Sequence, residues 1–92
     1  MRIIYSTESV EDLQKLREFI AVKNEQAENR IAVSLLEAIN KLKAFPKMGI
    51  EVKMAKSQLI RDLIIDDYII RYLISEKTIY ILRIWHQKED WK

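Results

Sequence analysis

The residues of this sequence whose types could do chemistry are one histidine, His86, and the cations Lys53, Lys56, Arg61 and Arg83. Cleaving a ribose phosphodiester without metal takes a base for the 2′-hydroxyl, cations for the five-coordinate phosphorus and an acid for the leaving oxygen. Only this set could supply those roles. The same residues also have a purely structural account, in which Arg61 is a solvated or capping cation, Arg71 pairs with Asp62 directly across a hairpin, and His86 packs beside Trp85 and Trp91. Tyr68, Tyr72 and Tyr80 could stack on bases, but aromatics at strand spacing more often serve as core or cross-strand partners. Trp85 and Trp91, near the C-terminus, suit either burial on their own sheet or anchoring of a protein interface. Cysteine is absent, which removes thiolate and disulfide chemistry, and one histidine cannot build a His-rich metal site. No metal or other cofactor is expected.

The stretch from Leu59 to Trp91 must position these residues. It is rich in β-branched and aromatic residues, lacks glycine and proline, and is divided by Asp66-Asp67 and Glu76-Lys77 into three runs of strand length. This predicts an antiparallel meander. Two-residue turns would set Ile65 opposite Tyr68 and Ser75 opposite Thr78. Regular alternation then puts Arg61, Leu63, Ile65, Tyr68, Ile70, Tyr72, Ile74, Ile79, Ile81, Arg83 and Trp85 on one face. The other carries Ile60, Asp62, Ile64, Ile69, Arg71, Leu73, Tyr80, Leu82, Ile84 and His86. Arg61 and Arg83 would share a face, and both faces are apolar. A slip of one residue would exchange them.

Ahead of the meander, Arg2 to Tyr5 reads as a first strand, and Ser6 or Thr7 as the N-cap of a helix with Glu8, Glu11 and Asp12 in its first turns. Val10, Leu13, Leu16 and Ile20 mark its apolar face. The pattern breaks near Val22 to Asn24, and Asn24 is a suitable cap for a second helix. Its stripe is Ala27, Ile31, Leu35, Ala38, Ile39, Leu42 and Phe45, ending at Pro46. The chain's one proline and one glycine fall together at Pro46-Lys47-Met48-Gly49, a turn that redirects the chain. Ile50 to Ser57 reads as a short edge strand or ordered loop carrying Lys53 and Lys56. The order predicts an α+β fold, a hairpin of two N-terminal helices packed on an antiparallel sheet of about four strands.

With 92 residues, one small domain is expected over residues 1–92. Sixteen basic against fourteen acidic side chains give a formal charge of +2, too mild to indicate nucleic-acid binding by itself. No run of about eighteen apolar residues could span a bilayer, and the N-terminus enters a strand at once, so a cytoplasmic protein is expected.

Six pieces of the sequence, in order and spacing, resemble the ParE branch of the RelE/ParE toxins of type II toxin–antitoxin systems. They are SerThrGluSerValGluAspLeu at 6–13, Phe19-Ile20, LeuLeuGluAlaIleAsnLysLeuLysAlaPheProLysMetGly at 35–49, ArgAspLeuIleIle at 61–65, TyrIleIleArgTyr at 68–72 and IleLeuArgIleTrpHis at 81–86. The resemblance implies a toxin held inactive by a cognate antitoxin, ParD-like with an acidic amphipathic tail, in a plasmid-stabilisation type of system. It leaves two activities open. ParE-like members poison DNA gyrase by protein contact and have no established catalytic residues, whereas RelE-like members cut mRNA on the ribosome. Arg61-Asp62-Leu63 followed by Tyr68-Ile69-Ile70-Arg71-Tyr72 resembles the ParE form. If the chain is instead a ribonuclease, Arg61, Arg83 and His86 with Lys53 or Lys56 would carry catalysis. Contacts to antitoxin or target are expected at Lys53, Met54, Lys56, Arg61, Trp85 and Trp91, in a hetero-oligomer with the antitoxin. A third possibility is a degenerate member that only binds antitoxin. Burial points the same way as the resemblance. Two helices cover one sheet face only, so an amphipathic helix of the acidic antitoxin tail, with or without an added strand, should lie over the apolar surface of the other face and the edge near Ile50 to Met54, with Lys53, Lys56 or Arg61 helping to orient it.

Overall fold

A computed structural model describes residues 1–23, 25–53 and 59–88 and, within them, all side chains but those of 19–23, 25, 27 and 28. The expectations for Asn24, Met54, Lys56 and Trp91 lie outside the described residues, and those for Phe19, Ile20 and Ala27 outside the described side chains. The chain runs β1 (Arg2–Tyr5), α1 (Thr7–Lys23), α2 (Glu25–Lys41), β2 (Ile50–Glu51), β3 (Ile60–Ile65), β4 (Tyr68–Ser75) and β5 (Thr78–His86). The sheet has five strands in the order β1-β5-β4-β3-β2. Three parts of the expected layout are thereby corrected. The sheet has five strands where about four were expected, because both β1 and the two-residue β2 join the meander. The sheet is mixed, because β1 pairs parallel to β5, and the helices follow β1 instead of opening the chain. The reason is topological. Parallel neighbours need a long crossover, and the α1–α2 hairpin with the meander supplies it.

The two hairpins form in the register their turn residues predict, with Ile65 opposite Tyr68 and Ser75 opposite Thr78. Neither turn has a glycine or asparagine, so Asp66 and Glu76 take the left-handed conformation themselves, at φ 53° and 51°. The inward side chains of β3 and β4, Leu63, Ile70, Tyr72 and Ile74, are buried. Ile79, Ile81 and Ile84 of β5 join them, with Ile3 and Tyr5 of β1 packed at the margin. Onto this layer α2 presents Leu35, Ala38, Ile39 and Leu42, a stripe at three- and four-residue steps. The stripe stops one turn before Phe45, which is 64% exposed. After Lys41 the amides of Leu42, Lys43 and Ala44 bond three residues back, tightening the helix end ahead of Pro46.

Helix α1 departs from its expected face. Leu16 is buried and Leu13 half-buried, but Val10 is 52% exposed, and the other inward positions among the described side chains are Ser9 and Asp12. Two polar residues thus face inward on α1, and each has a specific partner.

Candidate functional site

The first of these partners is Ser6, the residue before α1. Its Oγ accepts the Ser9 N–H at 3.0 Å, as an N-cap does, and donates to the Leu82 carbonyl at 2.9 Å. Ser9 Oγ donates back to the Ser6 carbonyl. The helix start is thereby tied to β5 at an irregularity. Tyr72 pairs with Ile81 but Arg71 pairs with Arg83, so Leu82 is an extra residue, a β-bulge. Beyond it the facing of β5 is reversed. Ile84 turns inward and is 1% exposed, while Arg83 and Trp85 lie in register with Arg71 and Ile69 on the face away from the helices.

The same region explains Asp12. β1 pairs with β5 only up to Tyr5 and Ile81, so among the described residues no strand lies beside the β5 edge past the bulge. The Asp12 carboxylate stands in, accepting the Ile84 N–H at 3.0 Å and both Nε and Nη2 of Arg83, at 2.7 and 2.9 Å. Across the outer face, Asp62, Arg71 and Arg83 lie in one cross-strand row, with Asp12 beside its end. Two guanidinium groups directly opposite one another would repel. Here each is held by its own carboxylate. Arg71 donates Nε and Nη2 to Asp62 at 2.8 and 3.0 Å and lies 5.1 Å from the Trp85 ring centroid. Hydrogen bonding to the carboxylates raises the pKa of both arginines above the ordinary value. Apolar rows flank the charges: Ile60, Leu73, Tyr80 and Ile4 on one side, Ile64, Ile69 and Trp85 on the other.

A second cluster fixes the strap between α2 and β2. Tyr72, fully buried, donates its hydroxyl to the Pro46 carbonyl at 2.7 Å and accepts the Gly49 N–H at 2.9 Å. Burial raises its pKa, against the opposing effects of the Gly49 N–H and Arg61. Gly49 is required here for space. A Cβ at this position would meet Tyr72 Oη at 2.7 Å, Tyr72 Cε1 at 2.8 Å and the Asp62 carbonyl oxygen at 2.9 Å. Arg61 closes the cluster, donating Nη1 to the carbonyl of Gly49 at 2.8 Å and of Lys47 at 3.4 Å, with Glu51 at 3.7 Å from Nη2. Next to the strap, Ala38, Lys41, Met48, Ile50, Ile64 and Ile65 line a cleft of about 370 Å³.

The residues that sequence put forward for chemistry are therefore spread out. Arg61, on the helix side of β3, serves the strap. Arg83, expected on the same face as Arg61, is on the opposite face because of the bulge. His86 pairs with Tyr68 at the far end of β5, where their rings meet edge to face at 5.1 Å, and its Nδ1 accepts the Lys88 N–H at 3.1 Å. Measured along β4, the Arg61 and His86 rows are four residues apart, about 13 Å at strand rise, and two strand spacings separate them laterally. Lys53 is exposed after β2. Trp85 is only 4% exposed. The structural reading of Arg71 and Asp62 holds as stated. Asp12, Ser6 and Gly49 were not singled out as partners of the strands; the signal for Asp12 was its place seven residues from Tyr5, with an arginine left over on β5.

A helical hairpin against a five-stranded sheet, one sheet face covered and the other carrying paired charges between apolar rows, is a fold already known. It matches the structure described as a chromosomal ParDE toxin–antitoxin system from P. aeruginosa, with a TM-score of 0.77 at 17% identity, covering 94% of this chain and 95% of that one. It also matches the solution structure of a conserved hypothetical protein from Helicobacter pylori, with a TM-score of 0.63 at 18% identity over 97% of both chains. In sequence, the chain is 26% identical over 85 residues to Toxin RelE2 of Caulobacter vibrioides, covering 92% of this chain and 93% of that protein. Residues 3–91 match the ParE toxin of type II toxin–antitoxin system, parDE, and the chain belongs to that family, within the RelE/ParE superfamily of toxins.

Proposed function

We propose that this toxin arrests growth by binding DNA gyrase and cuts no RNA, and that a cognate antitoxin neutralises it in a cytoplasmic hetero-oligomer. The observation that carries the reading is the separation of Arg61, Arg83 and His86. Metal-free cleavage needs a base and its cations within hydrogen-bond reach of one phosphate, about 3 Å from each. Arg61 is bound to two backbone carbonyls, Arg83 is bidentate to Asp12 on the other face, and His86 lies a strand-length away. The apolar rows of the outer face, in which Ile64 is 48% and Tyr80 36% exposed, suit contact with protein more than containment of a nucleotide.

The test is a supercoiling assay with purified toxin and gyrase, run beside a map of transcript 5′ ends after induction in translating cells. Inhibited supercoiling with a DNA-damage response and unchanged transcripts is expected. New cleavage ends, abolished by Arg61→Ala or His86→Ala with supercoiling intact, would establish the RelE-like ribonuclease activity instead.

A further inference from the structure

We infer that two copies of this chain associate edge to edge, β1 against β1 in antiparallel sense, so that their two sheets become one. β1 is a terminal strand, and no strand lies on its other side among the described residues. It is also poorly guarded. Edge strands that stay single are commonly protected by charge, proline, a bulge or extreme shortness. The opposite edge has such protection, since β2 is two residues long, contains Glu51 and is followed by Lys53. β1 is Arg2-Ile3-Ile4-Tyr5, with strong strand formers at every position after the first.

The hydrogen-bonding groups on the free side are set by the pairing on the other. Arg2 donates its N–H to the Lys77 carbonyl at 2.9 Å and Ser6 to the Ile81 carbonyl at 3.0 Å, in a parallel register of Arg2 with Thr78 and Ile4 with Tyr80. Alternation then directs Arg2, Ile4 and Ser6 to β5 and leaves the N–H and carbonyl of Ile3 and Tyr5 pointing outward. These two residues are placed symmetrically about Ile4. A two-fold axis at Ile4 therefore sets Ile3 against Tyr5 of the second copy, and Tyr5 against its Ile3, each pair exchanging both N–H···O bonds.

The side chains agree with that axis. Ile3 and Tyr5 pack half-buried at the margin of the core, and across the seam each would stand beside the other, a β-branched residue against an aromatic one. On the outer face Ile4 meets Ile4 of the second copy at the ~4.5 Å Cα spacing of a non-hydrogen-bonded pair. The apolar row of Ile60, Leu73, Tyr80 and Ile4 then continues into the same row of the second copy, with Tyr80, 36% exposed, next to the seam.

Charge identifies the occupant. One end of β1 is basic, with Arg2 exposed and Lys77 beside it in the β4–β5 turn, against one carboxylate, Glu76. At the other end the chain enters α1, whose first turns carry Glu8 and Glu11, both exposed, and Asp12, which already holds Arg83. The two-fold sets Arg2 opposite Ser6 of the second copy, so each basic end lies against the other's acidic helix start. Like charges stay apart, because the two Arg2 residues are separated by about 13 Å along the strands. A surface whose donors, apolar side chains and charges all complement themselves under one rotation fits its own copy better than a foreign strand. The paired segment is only four residues long, so association should depend on concentration.

Sedimentation velocity of the purified chain from about 1 μM to about 1 mM should show monomer giving way to dimer. Ile4→Lys, which sets two ammonium groups across the axis, should weaken the dimer at least about tenfold. Arg2→Glu, at an exposed position that does not disturb the fold, should weaken it by a similar factor at low salt, and adding Glu8→Lys to the same chain should restore it. Hydrogen exchange supplies the register. The Ile3 and Tyr5 amides should gain protection as concentration rises, while the Ile4 amide, bonded to β5, is protected throughout and the Glu51 amide, on the free side of β2, does not change. A chain that stays monomeric over the whole range overturns the pairing, and so does a dimer unaffected by both Ile4→Lys and Arg2→Glu. Concentration-dependent protection of Glu51 in place of Ile3 and Tyr5 overturns it too, moving the contact to the other edge. None of these results bears on supercoiling or transcript cleavage, so the proposed activity stands or falls separately.

Discussion

Tyr72→Phe removes one oxygen atom from the centre of the fold, and the structure sets what that costs. The hydroxyl is completely buried, donates to Pro46 and accepts from Gly49. Losing an ordinary hydrogen bond costs about 1 kcal/mol, and stranding the buried Gly49 N–H adds about 1–3 kcal/mol, for a total of about 2–4 kcal/mol. At about 4–8 °C per kcal/mol for a domain of this size, the melting temperature should fall by roughly 8–32 °C. Gly49→Ala attacks the same contact from the other side. Its Cβ would lie within 3 Å of two Tyr72 atoms and of the Asp62 carbonyl, an overpacking that costs about 1–3 kcal/mol. In the double variant the missing hydroxyl relieves one of three collisions, so the pair should be less destabilising than the sum by about 1 kcal/mol. Urea unfolding with a common slope gives all three values, and Tyr80→Phe on the outer face is the control, expected within about 0.5 kcal/mol of wild type. A Tyr72→Phe variant as stable as that control, or strictly additive losses, would refute the idea that this hydroxyl clamps the strap.

The remaining predictions rest on other contacts. Burial raises the Tyr72 and Tyr5 pKa values above 10.0, so the stability they confer is complete below pH 10 and is lost as pH climbs through the raised folded-state values; urea midpoints should fall above pH 10, less steeply in Tyr72→Phe. Glu76→Gly relieves a left-handed residue worth about 1–2 kcal/mol against about 0.4–1 kcal/mol of added unfolded-state entropy, so it should stabilise the protein by about 0.5–1 kcal/mol in the same assay. Asp12→Ala strips the Ile84 amide and both Arg83 bonds; because Arg83 is 37% exposed and rehydrates, the loss should be about 2–3 kcal/mol by thermal melting, below that of a fully buried pair.

Which parts of this architecture could be read from the residues follows from how local their causes are. The hairpin registers were legible because Asp66-Asp67 and Glu76-Lys77 interrupt runs of β-branched residues, and two residues suffice for a turn. Ser6 was legible as a cap for the same reason. The partner of β1 was not, since nothing within Arg2–Tyr5 distinguishes a parallel neighbour 76 positions away from an antiparallel one next door. The acceptor role of the buried Asp12, which the sequence marks only as an acidic residue in the first turns of α1, was not legible, because it depends on where β1 stops along β5. The bulge left a faint trace. Inward apolar residues step by two through Ile79 and Ile81, then by three to Ile84, and Arg83 occupies the place where alternation called for an inward side chain. Only the burial of Ile84 turns that trace into an assignment.

That one-residue offset also decides how Arg61 should be tested. On a straight β5 it would stand beside Arg83 as half of a phosphate clamp; on the bulged strand it stands apart, with a side chain only 15% exposed and its fork turned to the strap carbonyls. Arg61→Lys separates the two roles because lysine keeps the charge and loses the planar fork. If Arg61 positions the strap, the substitution should cost about 1–2 kcal/mol of stability, one or two charge-assisted bonds to carbonyls. Gyrase inhibition per folded molecule should be unchanged. If Arg61 instead stabilises a cleaving phosphate, lysine would leave stability almost untouched and lower the cleavage rate by a factor of about 100 or more, as loss of one oriented donor does. Unfolding curves and activity measured on the same preparation distinguish these outcomes, and a stable but inactive Arg61→Lys protein would overturn the positioning role.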